Sequence, residues 1–257
     1  MFISVIIITL NEAENLKSTI MSVKKSAQLG SDKSIPIEII VSDGGSNDGT
    51  VNIAKSLADN VIIGPKGRYK QLNAGARASK GDVLLFLHAD TILPKGALLR
   101  IYYNLKTTNA IGGGFRKYWN WSPKVKRASF LKFMSYWWQL VGNWLVDLFK
   151  NFPGDNAIFV RKNIFNKLNG FSQMWICEDF DFSSRMKRYG KQSIVYIRSA
   201  VLTSTRRFEK YGFFRIIILW FFIYWMWRLG MPQNRLKQRF KKYSTIPERA
   251  QKNYIRF

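Results

Sequence analysis

The stretch ISVIIITL, Ile3 to Leu10, constrains the fold more than any other part of the chain. An apolar, β-branched run without polar alternation is what a strand buried on both faces requires. Such strands belong to parallel sheets covered by helices on both sides. The residues that follow support this. Asn11 is placed to cap a helix running to about Gln28, with Glu12 and Glu14 in its first turn, where the helix dipole favours negative charge. GSDKSIP is expected as loop, IEIIVS (Ile37 to Ser42) as a second strand, and a short helix should end near Leu57. NVIIG is a third, short strand. RYKQLNAGARAS, from Arg68, predicts a helix with one face of small residues, suited to close packing on a sheet. DVLLFL is the next strand and delivers His88, Ala89 and Asp90 at its carboxyl end.

Strands alternating with helices predict an α/β architecture with a mixed, mostly parallel sheet. Ligands in such sheets bind beyond the carboxyl ends of the strands. The polar breaks TLNE, SDGGSNDG and HAD all fall at that end, so they should converge on one site.

Charge narrows the chemistry. A net charge of +25 over 257 residues predicts attraction to something anionic: nucleic acid, acidic lipid headgroups or a phosphorylated substrate. The 47% hydrophobic content excludes a disordered chain. A lone Cys177 permits no intrachain disulfide and no cysteine-based zinc site, which fits a reducing compartment. MFISVIIITLNE has no basic lead-in and no small-residue cleavage site, so no signal peptide is expected. With only 16 acids and one histidine, positions matter: EDFD, Glu178 to Asp181, gathers three acids in four residues.

The second half changes character. Residues 118–150 are dense in aromatics and lysines; they are expected as a helical insertion within a main domain spanning 1–210. A strand at NAIFVR, a helix from about Lys162 and a helix at FSSRMKRYG follow. Residues 211–257 are expected as an amphipathic, basic extension. Its uncharged part, Ile216 to Trp227, is shorter than the roughly 20 residues that span a bilayer. Arg215 and Arg228 flank it, and Arg235, Lys237, Arg239, Lys241 and Lys242 come after. Apolar helices rich in Trp and Phe, bordered by Lys and Arg, fit the interfacial pattern of monotopic proteins, although packed helices of a subdomain would share it.

No G-x-G-x-x-G follows the first strand, and there is no phosphate-loop lysine pattern, so neither usual nucleotide cradle is present. Asp43 with its glycines has two readings, a ligand-facing carboxylate or a tight turn with Asp48 capping the next helix. EDFD likewise is a site, or a charged helix start in which Asp181 is the cap-side acid. GDNA, Gly154 to Ala157, lines a pocket or simply turns.

Taken together, VIIITLNEAENL, IIVSDGGSNDGT, GRYKQLNAGARASKGDVLLFLHADTILP and EDFDFSSRMKRYG resemble the family 2 glycosyltransferases of GT-A fold. Within them the chain is similar to a bacterial subgroup described as transferase 2 associated with radical-SAM or selenoprotein-like domains. The resemblance implies a nucleotide-sugar donor, with a UDP-sugar favoured. It assigns Thr9, Asn11 and Glu12 to the first nucleotide-contacting loop and Asp43 to the base. Arg68 and Asn73 fall beside the diphosphate, where Arg68 is a planar fork for phosphate oxygens. HAD stands where the family carries D-x-D, so Asp90 would hold Mg2+ or Mn2+. His88 replaces the first acid; a neutral imidazole can meet ribose or a metal-bound water, with one less negative charge at the metal. EDFD matches the motif that supplies the general base, with Asp179 first and Glu178 second.

Inverting glycosyl transfer needs a carboxylate to take the acceptor's proton and positive charge for the departing diphosphate. The expected function is therefore sugar transfer to a lipid-linked or amphipathic acceptor, at an anionic membrane surface on the cytoplasmic face, as a peripheral protein. Two alternatives are a nucleotidyltransferase and a basic nucleic-acid binder. TLNEAENL has no glycine for the former, and no recognised motif supports a specific nucleic-acid partner for the latter.

Overall fold

A computed structural model describes residues 1–29, 33–121, 129–190 and 193–244. Residues 30–32 of the expected GSDKSIP loop, 122–128 of the expected aromatic insertion and 245–257 of the basic extension lie outside the described residues.

The chain opens with β1 (Ile3–Thr9) and α1 (Ala13–Ser26), then a small antiparallel pair, β2 (Gln28–Leu29) and β3 (Lys33–Ser34). The alternation continues through β4 (Ile37–Asp43), α2 (Thr50–Leu57), β5 (Asn60–Ile63), α3 (Arg68–Ala78) and β6 (Val83–His88). The second half contains β7 (Thr91–Ile92), α4 (Ala97–Thr107), β8 (Gly112–Asn120) and α5 (Ser129–Phe149). A 3-10 turn at Gly154–Asn156 precedes β9 (Phe159–Arg161), α6 (Lys162–Lys167) and α7 (Glu178–Tyr189). The remaining elements are β10 (Ile194–Ser204), α8 (Arg206–Tyr211), α9 (Phe213–Arg228) and α10 (Gln233–Ser244).

The main sheet has the order β5-β4-β1-β6-β9-β8-β10-β7. Strands β5, β4, β1 and β6 run parallel. The short β9 is antiparallel to both β6 and β8, β10 is parallel to β8, and β7 closes the far edge antiparallel to β10. This is the mixed sheet with flanking helices of a GT-A fold. Of the expected strand NAIFVR only its last three residues pair, because Gly154–Asn156 turns instead.

Alternate residues of a strand face opposite sides, and β1 distributes its side chains accordingly. Ile3, Val5 and Ile7 pack with Leu16, Ile20 and Val23 of α1. Ile6 and Ile8 join Leu72 and Ala76 of α3 and Phe182 and Met186 of α7. The small face of α3 is used: a Cβ on Gly75 would come 2.4 Å from Ile6 Cγ2.

Asn11 does not cap α1. It sits at φ 55, and the cap position is Glu12, which makes no side-chain cap bond. The Asn11 amide instead crosses to the neighbouring loop: its oxygen accepts the Asn47 N–H (3.0 Å), while Ser46 Oγ accepts the Asn11 N–H (2.8 Å). A short amide that tolerates the left-handed region can serve either purpose, and here the tie between two strand ends prevails.

Helix α5 is inverted. Its inward residues are polar: Ser135, Gln139 and Asn143 are buried, while Phe133, Trp137, Val141, Trp144 and Leu148 are exposed. The polar row serves β8 and the residue just past it. Asn143 accepts from the Lys117 N–H (3.0 Å) and donates to the Lys117 carbonyl (2.9 Å). Gln139 accepts the Trp119 N–H, and Ser135 accepts the Trp121 indole N–H. Four helical residues rise about 6 Å and two strand residues about 6.6 Å, so an i, i+4 row can follow alternate residues of an extended chain. The apolar side is consequently left outward. Helix α9 buries Ile216, Leu219 and Ile223, the last two against Leu236 of α10, and exposes Phe214, Ile218, Phe221, Phe222 and Trp225. Among the described residues no helix is long and apolar enough to cross a membrane.

Candidate active site

Strand register brings the polar breaks together. Thr9 lies opposite Asp43, and Ile8 opposite His88, at the carboxyl ends of β1, β4 and β6. Gln71 of α3 pins two of these ends, donating to the carbonyls of Thr9 (2.7 Å) and Ser42 (2.9 Å).

Asp43 is fully buried. It accepts the Gly45 and Ser46 N–H groups (2.8 and 2.7 Å) and the hydroxyls of Thr9 (2.8 Å) and Ser46 (2.5 Å). Burial alone would raise its pKa, but these bonds outweigh it and hold the carboxyl below its ordinary value. The tight turn and the carboxylate at the site are thus one feature. Asp48 accepts both the N–H and the hydroxyl of Thr50 at the start of α2, and also the Ala13 N–H (3.1 Å).

Helix α7 begins directly at Glu178, behind Cys177 in the left-handed region at φ 65. That tight entry aims two carboxylates at the sheet edge. Glu178 is 2% exposed; one oxygen lies 3.5 Å from Arg68 Nη1, and Oε2 has no hydrogen-bond partner. Burial, only partly offset by Arg68, pushes its pKa up to about 7. Asp179 is half-buried, accepting the Gly154 N–H (2.5 Å) on one oxygen and the Phe180 N–H (2.8 Å) on the other. Burial raises its pKa also. Phe86, Ile158 and Phe171 form an apolar floor beside both carboxylates. Asp181 accepts from Ser172 (2.6 Å) and Arg185 (2.8 Å), so this acid is structural. Burial pushes the Cys177 thiol up, which leaves it unreactive.

Burial first, and then the positive charge of Arg68, lower the His88 pKa to about 3, so the ring is neutral at physiological pH. A Cβ on Gly154 would come within 2.8 Å of His88 Nε2 and 3.2 Å of Asp179 Oδ2. GDNA is therefore part of the site: Asp155 pairs with Lys117 (2.8 Å), and Asn156 donates to the Phe115 carbonyl (2.6 Å).

Asn73 departs from expectation. Both ends of its amide are committed to the backbone of Phe171 (2.8 and 2.9 Å), so it braces α3 against the loop before α7 and does not face a diphosphate. A residue that sequence reasoning missed is Arg206, at the start of α8. Its Nη2 lies 2.8 and 2.9 Å from the two Glu12 oxygens and 3.2 Å from Asp90 Oδ2. Arg207 follows it and shares the field of Arg68, Asp90 and Asp155.

The expected Mg2+ or Mn2+ at Asp90 does not fit this donor set. Among the described residues no group of three or more His, Cys, Asp or Glu could hold a metal ion. Asp90 is instead paired to the Arg206 guanidinium. A larger surface concavity, about 950 Å3, lies at the opposite end of the sheet, lined by Met1, Lys80, Asp82 and Lys162. It is remote from the paired carboxylates.

The family model described as glycosyl transferase family 2 matches residues 4–168. Glycosyltransferase AglE of Haloferax volcanii is 36% identical over 96 residues, covering 35% of this chain and 30% of that protein. The probable glycosyltransferase YdaM of Bacillus subtilis is 27% identical over 168 residues, covering 60% of this chain and 40% of that protein. This chain thus matches less than half the length of either relative. Among solved structures, glucosyl-3-phosphoglycerate synthase from Mycobacterium tuberculosis, in complex with Mn2+, UDP and glucosyl-3-phosphoglycerate, superposes with a TM-score of 0.58. It is 19% identical, and the match covers 90% of this chain and 80% of that one.

Proposed function

The chain belongs to glycosyl transferase family 2, and from that premise we propose that it moves a sugar from a UDP-sugar to an acceptor hydroxyl with inversion. One observation carries this reading. The loops of Thr9 and Asp43, the Arg68 end of α3, His88 and the Glu178–Asp179 pair meet at one sheet edge. The UDP found in the superposed synthase complex supports the choice of donor. Asp43 and its loop receive the base, and neutral His88 faces the ribose. The four sequence motifs taken together support a position near the bacterial subgroup named above.

In the transfer step the acceptor oxygen forms a bond to the anomeric carbon as the bond from that carbon to the diphosphate breaks. The diphosphate leaves with the electron pair, and the acceptor's proton passes to Asp179. Asp179 suits this task better than Glu178 because it is the more open of the two carboxylates. Its raised pKa gives it a higher proton affinity than an ordinary aspartate. Glu178, buried beside Arg68, orients that guanidinium.

The acceptor is amphipathic or lipid-linked, and the enzyme works peripherally on the cytoplasmic face of an anionic membrane. The outward aromatic rows of α5 and α9, in a chain of net charge +25, support this part of the reading.

Asp179→Asn tests the base. Transfer should fall by about 10²- to 10⁴-fold, while UDP-sugar affinity, measured by calorimetry, stays within about twofold. A variant that keeps most of its activity removes Asp179 from the mechanism.

A further inference from the structure

We propose that Arg206 and Arg207, together with Arg68, neutralise the donor diphosphate directly, so that donor binding does not depend on a divalent ion. The inference rests on the donor site described above and concerns how this chain supplies the positive charge there.

Three observations carry it. First, Asp90 and Glu12, a carboxylate expected at the metal and one expected at the nucleotide, are both spent on the single nitrogen Arg206 Nη2. A guanidinium carries five N–H donors in a planar fork. Two carboxylates gathered on one nitrogen fix that fork in place and leave its remaining donors for a ligand. Arg206 is still 48% exposed, so the fork is reachable. Second, Arg207 forms no hydrogen bond or ion pair with a carboxylate among the described residues, although Asp90 and Asp155 attract it. It follows Arg206 at the start of α8 and is exposed, so its guanidinium is open to an anionic ligand such as a diphosphate. Third, the expected metal position offers one carboxylate, Asp90, which already bonds Arg206, and no metal-holding cluster exists among the described residues. A hard divalent ion needs oxygen ligands, and Arg206 already competes for those of Asp90.

Arg206 and Arg207 reach the site from the end of β10, whereas Asp90 follows β6 and Arg68 opens α3. The cations thus arrive from separate elements, as a clamp on a charged group requires. When the sugar bond breaks and negative charge grows on the diphosphate, fixed guanidinium donors stabilise it without a reorganisation of the protein.

The test is calorimetric titration with UDP, in EDTA and in Mn2+, on the wild-type chain, Arg206→Gln and Arg207→Gln. The wild type should bind UDP with affinities within about twofold in the two conditions. Each variant should lose about tenfold or more in EDTA, the scale of a lost charge-assisted contact. Arg206→Gln should regain part of its affinity in Mn2+, because Asp90 and Glu12 are then free for the ion. A merely structural role for Arg206 would not produce that recovery. Wild-type binding only in Mn2+ overturns the arginine role and leaves the donor site standing. So do variants that match the wild type in EDTA. If the wild type binds UDP in neither condition, and no other nucleoside diphosphate replaces it, the donor site itself is refuted and the arginine role with it.

Discussion

Helices α1 and α5 lie against the same sheet with their faces reversed. Helix α1 buries Leu16, Ile20 and Val23 and turns Lys17, Lys24 and Lys25 to solvent. Helix α5 buries Ser135, Gln139 and Asn143 and turns Trp137, Trp144 and Leu148 outward. The difference lies in what each helix covers. Helix α1 meets the flat face of strands whose backbone groups are already paired to neighbours, so Leu16, Ile20 and Val23 bury apolar area there, and its buried Thr19 and Ser22 bond the Ala89 carbonyl and the Leu93 N–H beyond β6. Helix α5 meets backbone groups of Lys117 and Trp119 that bond to its side chains. A buried, unpaired backbone group costs about as much as a lost hydrogen bond. The sheet therefore dictates the polarity of the helix laid on it.

Substitutions can break this comparison. The largest effect is expected on α1: Ile20→Ala should cost about 2–5 kcal/mol through lost burial and a residual cavity. Urea denaturation measures it. A loss below about 1 kcal/mol would mean that α1 is not the apolar anchor its burial indicates.

Helix α7 offers a sharper contrast, because it buries a polar group without satisfying it. Glu178 titrates near 7 in the folded chain and near 4.5 unfolded, so the folded state holds the extra proton between those values. Stability from this group is full below about pH 4.5 and declines as pH rises to about 7. Glu178→Gln removes the decline, and its stability relative to wild type should climb across that window by about 3 kcal/mol. His88 acts in the opposite sense: its lowered pKa makes stability rise with pH between about 3 and 6.5. The net wild-type curve is thus flatter than either contribution. A Glu178→Gln curve parallel to wild type would show that the carboxyl is not desolvated.

Asn143→Leu comes next. It places an apolar side chain where the conventional pattern would want one, yet should destabilise by about 1–3 kcal/mol, because the Lys117 N–H and carbonyl lose their partner. A neutral or stabilising outcome would overturn the reversed-face account. The smallest effect on stability belongs to Trp144→Ser, within about 0.5 kcal/mol. The same variant should bind anionic vesicles about tenfold more weakly, from the loss of one interfacial aromatic anchor. Unchanged vesicle binding would count against a membrane role for this face.

The comparison also shows which parts of the molecule were legible in the sequence. Strands β1, β4 and β6 announce themselves because burial on both faces leaves an apolar run, broken only by Ser4 in β1 and Glu38 near the start of β4, and their polar ends point to the site. EDFD stands out against a basic background. Asp43 could be placed at the strand end, but only the structure joins the turn and site readings. Strands β8 and β10 were not read as strands. β8 opens on three glycines and runs on through FRKYWN without alternation, β10 is broken by a register shift between Ile197 and Ala200, and the two pair with each other across some 80 residues. Arg206 was invisible for a related reason. Among 41 basic residues one arginine carries no local signal, and its partner Asp90 lies 116 positions away. Asn73 was misassigned because a polar residue near a helix start looks the same whether it faces a ligand or a loop.

Gly154 sets the width of the seam between the two sides of the site. Its missing side chain is what allows His88 and Asp179, which the proposed reaction sets on the donor and acceptor sides, to approach the same glycine. Group transfer requires the attacking oxygen and the carbon it attacks to be held about 3–3.5 Å apart. One methyl group at position 154 is comparable to that span. For the proposed reaction, the gauge of transfer is thus written into the fold as an absence.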